Sequence, residues 1–346
     1  MTPPPHPEPP ARPGPRGGGA LPDLGPLRRV SRPAPDALPP ELAPPEVLIV
    51  GDCMLDVYLE GAVHRISPEA PVPILRLHRQ SQRAGGAANV ALNLARLRCP
   101  CTLSGLVGTD TAGACLAELL DQPGITQRFV RSPAIDTIQK IRMVSQRQQL
   151  LRMDVESEPP QASIDELTSM AGELAARHRW VLVSDYAKGA LRQVQDLIER
   201  CRGLPCRVLV DPKRKDLEAY RGAWLLKPNL AELREAVGDW RSEDELCDRL
   251  AALQQRLDIE HVLLTRGEEG MSLFSRGGPC LHIPTEAREV YDVSGAGDTV
   301  LAALTCFLAR GETLEDAVRA ANRAAGLVVG KFGTASVTLE ELGVSA

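Results

Sequence analysis

The sequence predicts an α/β protein of the three-layer αβα kind: a parallel sheet with helices on both faces, carrying a small β-sheet lid. Three observations predict it. Strand-length runs of Val and Leu recur along the chain and alternate with amphipathic segments, the pattern of strands buried on both faces. The runs end in Gly, Asp or Asn, which gathers polar residues at the sheet edge where open α/β sheets bind ligands. Two stretches, 57–83 and 127–156, lack a helical period and are rich in Arg and Gln, as expected of short strands inserted between βα units to make a lid.

Taken in order, the chain opens with a segment of another kind. Residues 1–45 hold more than half of the 29 prolines and almost no β-branched or aromatic residues. Such a segment cannot bury enough apolar surface to offset its ordering entropy, so a disordered Pro-rich tail is expected. It has neither the apolar core of a signal peptide nor the amphipathic helix of a transit peptide. Residues 46–346 are expected to form one domain. Its first strand is "EVLIVGDCML" (46–55), closed by Asp56, and the first lid segment follows. "GGAANVALNLARLR" (85–98) reads as a helix with Val90, Leu94 and Leu97 on one side. "TLSGLVG" is the next strand, a helix runs from about Thr111 to Leu120, and the second lid segment comes after it. "WVLVSD" (180–185), "RVLVD" (207–211), "AWLLKPN" (223–229) and "HVLLTRG" (261–267) are further strands. A last motif, "YDVSGAGDTVLAAL" (291–304), starts a helix at about Gly295.

The totals exclude several functions. A net charge of −5 argues against non-specific nucleic-acid binding. The nine cysteines form no C-x-x-C pair and no His pair completes a zinc pattern, which indicates reduced thiols in a cytoplasmic protein. No stretch approaches the roughly 18 uninterrupted apolar residues of a membrane span.

The chemistry concentrates at "SGAGD". The first N–H groups of a helix lack intrahelical partners and carry the positive end of its dipole. Gly295 and Gly297, without Cβ, let a phosphate come close to those amides, and Ala296 lies between them. Asp298 then sits in the first turn, placed to accept a proton from whatever attacks that phosphate. An anion hole beside a base fits phosphoryl transfer to an alcohol. The plainer alternative is that the glycines serve helix–strand packing and Asp298 complements the dipole. At "GGAAN", Gly85 and Gly86 can bring backbone close to a polyol, Asn89 can donate to and accept from its hydroxyls, and Asp56 can accept from two of them. A helix cap with a buried turn would explain that segment as well. In "KPNLAE", Asn229 and Glu232 share a face of a first helical turn and can hold a hydrated Mg²⁺ over a triphosphate. The same spacing is a helix-capping pattern. "TRGEEG" offers Gly267 and Gly270 as a bed for a nucleotide. There is no G-x-x-x-x-G-K-[ST] loop and no protein-kinase signature set.

The set "GGAAN", "NLAE", "TRGEEG" and "DVSGAGDT", in this order and spacing, resembles the ribokinase-like (phosphofructokinase-B type) carbohydrate kinases. "GDCMLDVYLEG", "RISPEAPVPI", "QQLLRMD", "SDYAKGAL", "DPK" and "KFGTASV" are similar to the members that act on a heptose 7-phosphate. The similarity spans residues 46–346. It implies a ribokinase-like fold and ATP-dependent phosphorylation of a sugar phosphate at its anomeric hydroxyl, with Mg²⁺, and leaves a monovalent cation open. Asp298 would be the general base and the backbone of Gly295, Ala296 and Gly297 the anion hole. Asn229 and Glu232 would position Mg²⁺, Gly267 and Gly270 would line the nucleotide site, and Asn322 would lie near the adenine. Asp56, Gly85, Gly86 and Asn89 would hold the sugar. A homodimer is expected from the family. The substrate's own phosphate needs cations, for which Lys140 and Arg142, alternate on a lid strand, and Lys188, at a strand end, are the candidates. A solvated lid face would explain them equally.

The chain departs from the pattern in small ways: Ser294 stands where Thr is common, and Lys227 precedes Pro228 where a small residue is common. It also lacks the H-x-G-H motif of the nucleotidyltransferase domain that many relatives carry, so a stand-alone kinase is expected. Rival readings are a kinase of the same fold for fructose 6-phosphate or ribose, and a non-catalytic sugar and nucleotide sensor. A dinucleotide oxidoreductase is disfavoured, because "GDCMLD" and not G-x-G-x-x-G follows the first strand.

Overall fold

The first apolar run makes two strands rather than one. In the computed structural model, which describes residues 47–146, 148–287, 290–331 and 335–344, β1 (Val47–Gly51) is wholly buried and stops at Asp52. There the chain bends, and β2 (Cys53–Ile66) leaves for a separate sheet. The break falls at Asp52, a polar residue that is turned inward and fully buried rather than exposed as a turn residue would be. Asp56 therefore lies within a lid strand and does not close the first strand of the main sheet. The expected tail, residues 1–45, lies outside the described residues, as do Phe332, Gly333 and Thr334 of "KFGTASV".

β3 (Pro73–Gly86) returns antiparallel to β2 and runs directly into α1 (Ala87–Arg96). β4 (Cys101–Gly108) pairs with β1, and α2 (Thr111–Leu119) is capped by Asp110, whose carboxylate accepts from Gly113 N at 2.8 Å. β5 (Ile125–Ser132) pairs parallel with β4 and belongs to the main sheet. The expected lid boundary at residue 127 is thus too early. β5 is the edge strand, exposed on one face, so its alternating polar residues read like a lid strand. The second lid hairpin is β6 (Ile138–Ser145) and β7 (Gln148–Val155). The lid is a four-stranded sheet in the order β3-β2-β6-β7.

The remaining chain builds the body. α3 (Gln161–Ala175), β8 (Trp180–Ser184), α4 (Val194–Cys201) and β9 (Arg207–Asp211) come first. They are followed by β10 (Leu225–Leu226), α5 (Leu230–Val237), α6 (Glu243–Leu257) and β11 (His261–Thr265). β12 (Met271–Ser275), β13 (Cys280–Ile283), α7 (Ala296–Ala309) and α8 (Leu314–Val329) complete it. The main sheet has the order β13-β12-β11-β10-β9-β8-β1-β4-β5, with only β12 and β13 antiparallel to their neighbours.

Alternate residues of each strand go to opposite faces. Val47, Ile49, Leu182 and Leu209 pack under α1, α7 and α8, whereas Leu48, Val50, Val181 and Val183 pack against α3, α4 and α6. These apolar cores make the three layers. β1 sits between β8 and β4, the point at which the chain's strand order reverses. Its C-terminal end is where a ligand crevice is expected. The ends of β1, β8, β9 and β10 deliver Asp52, Asp185, Asp211 and Lys227 to that edge.

Candidate active site

The start of α7 opens on a cleft of about 890 Å³, within the range of small-molecule sites. Gly295 is its N-cap at φ 78°, a left-handed conformation that favours glycine, and no side chain caps the helix. Ser294 takes no part, its N–H donating to Asp292 Oδ1 at 2.9 Å. The Ala296 N–H turns back to Val293 O at 3.2 Å, so among the expected anion-hole amides this one has an internal partner. A Cβ at Gly297 would stand 3.5 Å from Lys227 Nζ and 3.8 Å from Asp211 Oδ2, across the space those groups share. The helix mouth, an ammonium and a carboxylate thus meet at one point.

Asp298 is 3% exposed. Its Oδ2 accepts from Asn89 Nδ2 at 2.8 Å and its Oδ1 from the Tyr186 hydroxyl at 2.7 Å. Burial pushes its pKa up to about 6; the two donors and Lys227 act to lower it, and Asp211 to raise it. This differs from a carboxylate of ordinary acidity: the group is poised nearer neutrality. Asn89, expected at the sugar, spends its amide on Asp298 instead. Behind it, Asn93 Nδ2 donates to Asn89 O at 2.9 Å and Asn93 Oδ1 accepts from Thr299 Oγ1 at 3.1 Å, a polar seam locking α1 to α7.

The two glycines before α1 are explained by neighbours in the protein. A Cβ on Gly85 would lie 2.5 Å from Asp56 Oδ2, and one on Gly86, at φ 59°, would lie 2.3 Å from Asp52 O. Asp56 in turn pairs with Arg142 at 2.5 Å. Lys140 and Arg142 do share a side of β6. Lys140 is half-buried, with its ammonium 5.2 Å from the Tyr186 ring centroid, and burial holds its pKa down. Lys188 pairs with Glu156 and lines a separate recess of about 540 Å³ with Arg192 and Arg214, not the main cleft.

On the other side of the helix mouth, Asn229 and Glu232 form a reciprocal capping box at the start of α5. Asn229 Oδ1 accepts from Glu232 N at 2.9 Å and Glu232 Oε2 from Asn229 N at 2.8 Å. Asn229 lines the cleft. Glu232 stands behind it, its Oε1 bound by Lys213 Nζ at 2.7 Å. Lys213 also reaches Asp211 at 3.2 Å, and the buried Lys227 reaches the same carboxylate at 3.1 Å. Burial acts to raise Asp211, yet the two ammoniums outweigh it and hold the carboxyl below its ordinary value.

Gly267 opens a short 3₁₀ turn after β11 and Gly270 follows it, and both line the far end of the cleft. At Gly270 a Cβ would meet Ile283 O at 2.2 Å, whereas at Gly267 it would meet nothing within 4 Å. Asn322, on α8, also lines the cleft, with its amide donating to Pro284 O at 2.8 Å. Ala325, Gly326 and Val329 continue that wall as an apolar surface suited to a flat ring.

The structure therefore brings Asp298, Gly295, Ala296, Gly297, Asn229, Gly267, Gly270 and Asn322 to one cleft. Residue patterns missed Tyr186, Asp211 and Lys213. They lie just beyond strands β8 and β9 or at their ends, inside "SDYAKGAL" and "DPK", where neither periodicity nor a capping rule marks them. Only the position at a strand's C-terminal end could have singled them out.

The family model described as "pfkB family carbohydrate kinase" matches residues 44–341. D-beta-D-heptose 7-phosphate kinase of Bordetella bronchiseptica is 48% identical over 301 residues, 87% of this chain and 96% of that protein. Bifunctional protein HldE of Pseudomonas aeruginosa is 49% identical over 296 residues, 86% of this chain and 62% of that protein. Two solved structures share the fold. Arabidopsis thaliana ribokinase complexed with ribose and ATP has a TM-score of 0.69 at 21% identity, over 87% of this chain and 99% of that one. Escherichia coli phosphofructokinase-2 in complex with potassium has a TM-score of 0.75 at 20% identity, over 86% of this chain and 96% of that one.

Proposed function

The chain belongs to the pfkB family of carbohydrate kinases, and on that premise we propose that it transfers the γ-phosphoryl group of ATP to the anomeric hydroxyl of D-glycero-β-D-manno-heptose 7-phosphate. The products are the 1,7-bisphosphate and ADP, a step towards the ADP-heptose of the lipopolysaccharide core. The observation that carries the chemistry is the buried Asp298 directly behind the uncapped, glycine-bearing start of α7, facing a cleft large enough for a nucleotide. The choice of sugar leans on the heptose kinase of B. bronchiseptica, which resembles the chain over nearly its whole length.

In this reading the adenine lies along the wall of Asn322, and the phosphates run past Gly267, Gly270 and Asn229 to the helix mouth. The dipole of α7, its amides and the Lys227 ammonium stabilise charge on the phosphoryl group as it moves. Asp298 accepts the sugar hydroxyl's proton. With a loose transition state that proton leaves late, and a carboxyl near pKa 6 stays charged at neutral pH while being a stronger base than an ordinary aspartate. Asp56, given room by Gly85, faces the sugar under the lid, Asn89 acts on it through Asp298, and Lys140, Arg142 and Lys188 are the candidate cations for its phosphate. Arg142 and Lys188 already carry carboxylate partners, which leaves Lys140 the better placed of the three. Lid closure over the site excludes water, the competing acceptor.

The donor set suits a magnesium ion that keeps its water. Both oxygens of Glu232 are already engaged by protein donors, so Asn229 and Glu232 would hold hydrated Mg²⁺ through its waters rather than directly. The ion supplies charge neutralisation on the phosphates when bound. A homodimer in the cytoplasm completes the proposal. β7, the lid's edge strand, is exposed along most of its length and presents Leu151 and Met153, at 54% and 45% exposure, on one face.

The test is ADP release by the purified protein with heptose 7-phosphate, fructose 6-phosphate and ribose, each with and without Mg²⁺. The expected result is a kcat/KM for heptose 7-phosphate at least about a hundredfold above the others, lost without Mg²⁺. Preference for fructose 6-phosphate or ribose would reassign the substrate, and no ADP release with any sugar would favour a sensor.

A further inference from the structure

Asp298 has a second hydrogen-bond donor besides Asn89. Tyr186 follows β8 at the sheet edge and its hydroxyl donates to Asp298 Oδ1 at 2.7 Å. Three features hold it there. Its backbone N–H donates to Asp52 Oδ2 at 2.8 Å, and the Lys188 and Ala190 amides donate to the same carboxylate at 3.1 and 3.3 Å. Asp52 is the residue at which the chain leaves the main sheet for the lid, so the Tyr186 loop is tied to the lid's root. The next residue, Ala187, sits at φ 56°, and its N–H is held by Asp185 Oδ1 at 2.7 Å. A non-glycine residue stays in that conformation only where its surroundings impose it, and such strain gathers at working sites. Finally, the Tyr186 ring has the ammonium of Lys140, from the lid, 5.2 Å from its centroid, and that of Lys213, from the nucleotide side, 5.6 Å from it. The phenol thus links lid, base and phosphate cluster.

We infer that Tyr186 is a positioning residue for the phosphoryl transfer: together with Asn89 it fixes the plane of the Asp298 carboxylate and keeps that carboxylate charged as the lid closes. This rests on the kinase reading above. Each carboxylate oxygen has two lone pairs, so one donor on each leaves one lone pair on each for the incoming hydroxyl. Burial already keeps water from the charge, and a fixed O–H donor takes its place. The phenol is suited to this because burial, then the Asp298 and Asp211 charges, push its own pKa well above the ordinary value; it remains a donor throughout the working range. Asp211 and Lys227 also face Asp298, and Lys140 and Lys213 face the phenol, but none of these hydrogen-bonds the base in the described structure.

The experiment compares wild type, Tyr186→Phe, and protein carrying a fluorinated tyrosine at position 186, a more acidic phenol and so a stronger donor. The phenylalanine keeps the ring and its cation contacts, so the fold is retained. Two readouts are taken: the pH profile of kcat with heptose 7-phosphate, and the ¹³C carboxyl titration of Asp298 without any substrate, assigned with Asp298→Asn. In Tyr186→Phe the acid limb and the carboxyl pKa are both expected to rise by about half a unit to one unit, with kcat down about tenfold or more and KM for ATP within about twofold. The fluorinated phenol is expected to move both downward. Coincident profiles and titrations in all three proteins would overturn the inference, leaving Tyr186 a packing residue. Should wild type release no ADP, the kinase reading fails, while the substrate-free titration still decides whether Tyr186 sets the charge of Asp298.

Discussion

At the scale of single residues, burial decides how a carboxylate behaves. Asp298 is an aspartate whose native pKa is raised to about 6, chiefly by desolvation. Between its ordinary value and about 6 the native state holds a proton that the unfolded state has released, so stability falls as pH rises through that window. Two units correspond to about 3 kcal/mol as an upper figure. Asp298→Asn removes the titration, keeps the shape and keeps an acceptor for Asn89. Its melting temperature is expected to exceed that of wild type at pH 8 and to converge with it towards pH 4, as calorimetry across that range would show. A variant uniformly less stable than wild type would mean that the carboxylate is stabilising in place. Asp52, also raised to about 6 by burial, titrates in both proteins and cancels from the comparison. Asp298 was legible from its place behind "SGAG". Its partners Asn89 and Tyr186 were not assigned to it, because a contact between residues 209 apart along the chain leaves no trace in local pattern.

At the scale of elements, glycine and capping geometry set the working parts in place. Gly86 joins the lid strand β3 to α1, and its Cβ would collide with the Asp52 carbonyl while its φ lies in the left-handed region. Gly86→Ala is therefore expected to destabilise by about 2 kcal/mol or more and to lower kcat through displaced Asn89. Gly203→Ala, also at positive φ but with nothing within 4 Å of its Cβ, is expected to cost only about 1 kcal/mol and to leave kcat alone. Chemical denaturation with parallel assays separates the two, and equal effects would show that crowding at Asp52 is not the cause. Asn229→Ala removes half of the α5 capping box and is expected to cost about 1 kcal/mol of stability. If Asn229 also orders the ion's water, KM for ATP rises several-fold as well; stability loss with an unchanged KM would confine it to the cap. Most strands were legible because a Val- and Leu-rich run bounded by turn residues says "buried strand" wherever it falls. The boundaries that went astray have specific causes. Asp52 breaks a continuous apolar run by pointing inward to bind three amides, and β5 imitates a lid strand because an edge strand is half exposed.

At the scale of the whole molecule, the main sheet and the lid divide the labour. The strand ends around β1 gather Asp211, Lys213 and Lys227 beside the mouth of α7, and the sheet that carries Lys140 and Asp56 hangs from the turn at Asp52. The layered fold followed from sequence, and so did the grouping of Asn229, Gly267 and Gly270 along one cleft, because both depend on local signals: glycine after a strand, a cap before a helix. The proposed sugar end was less legible, since the lid's cations answer to carboxylates far away in sequence, as Arg142 does to Asp56. If the lid's exposed face joins two copies, replacing Leu151 and Met153 by serine is expected to shift the sedimentation coefficient towards that of a monomer at micromolar concentration. A wild-type chain that already sediments as a monomer would contradict the dimer and leave the site's chemistry untouched.

The most direct test is ADP release by Asp298→Asn with heptose 7-phosphate and saturating MgATP, alongside ATP affinity measured on the same sample. The expected result is a kcat lower by about two to four orders of magnitude with ATP still binding as in wild type. Turnover within about tenfold of wild type would contradict the claim that this buried carboxylate takes the proton of the attacking alcohol.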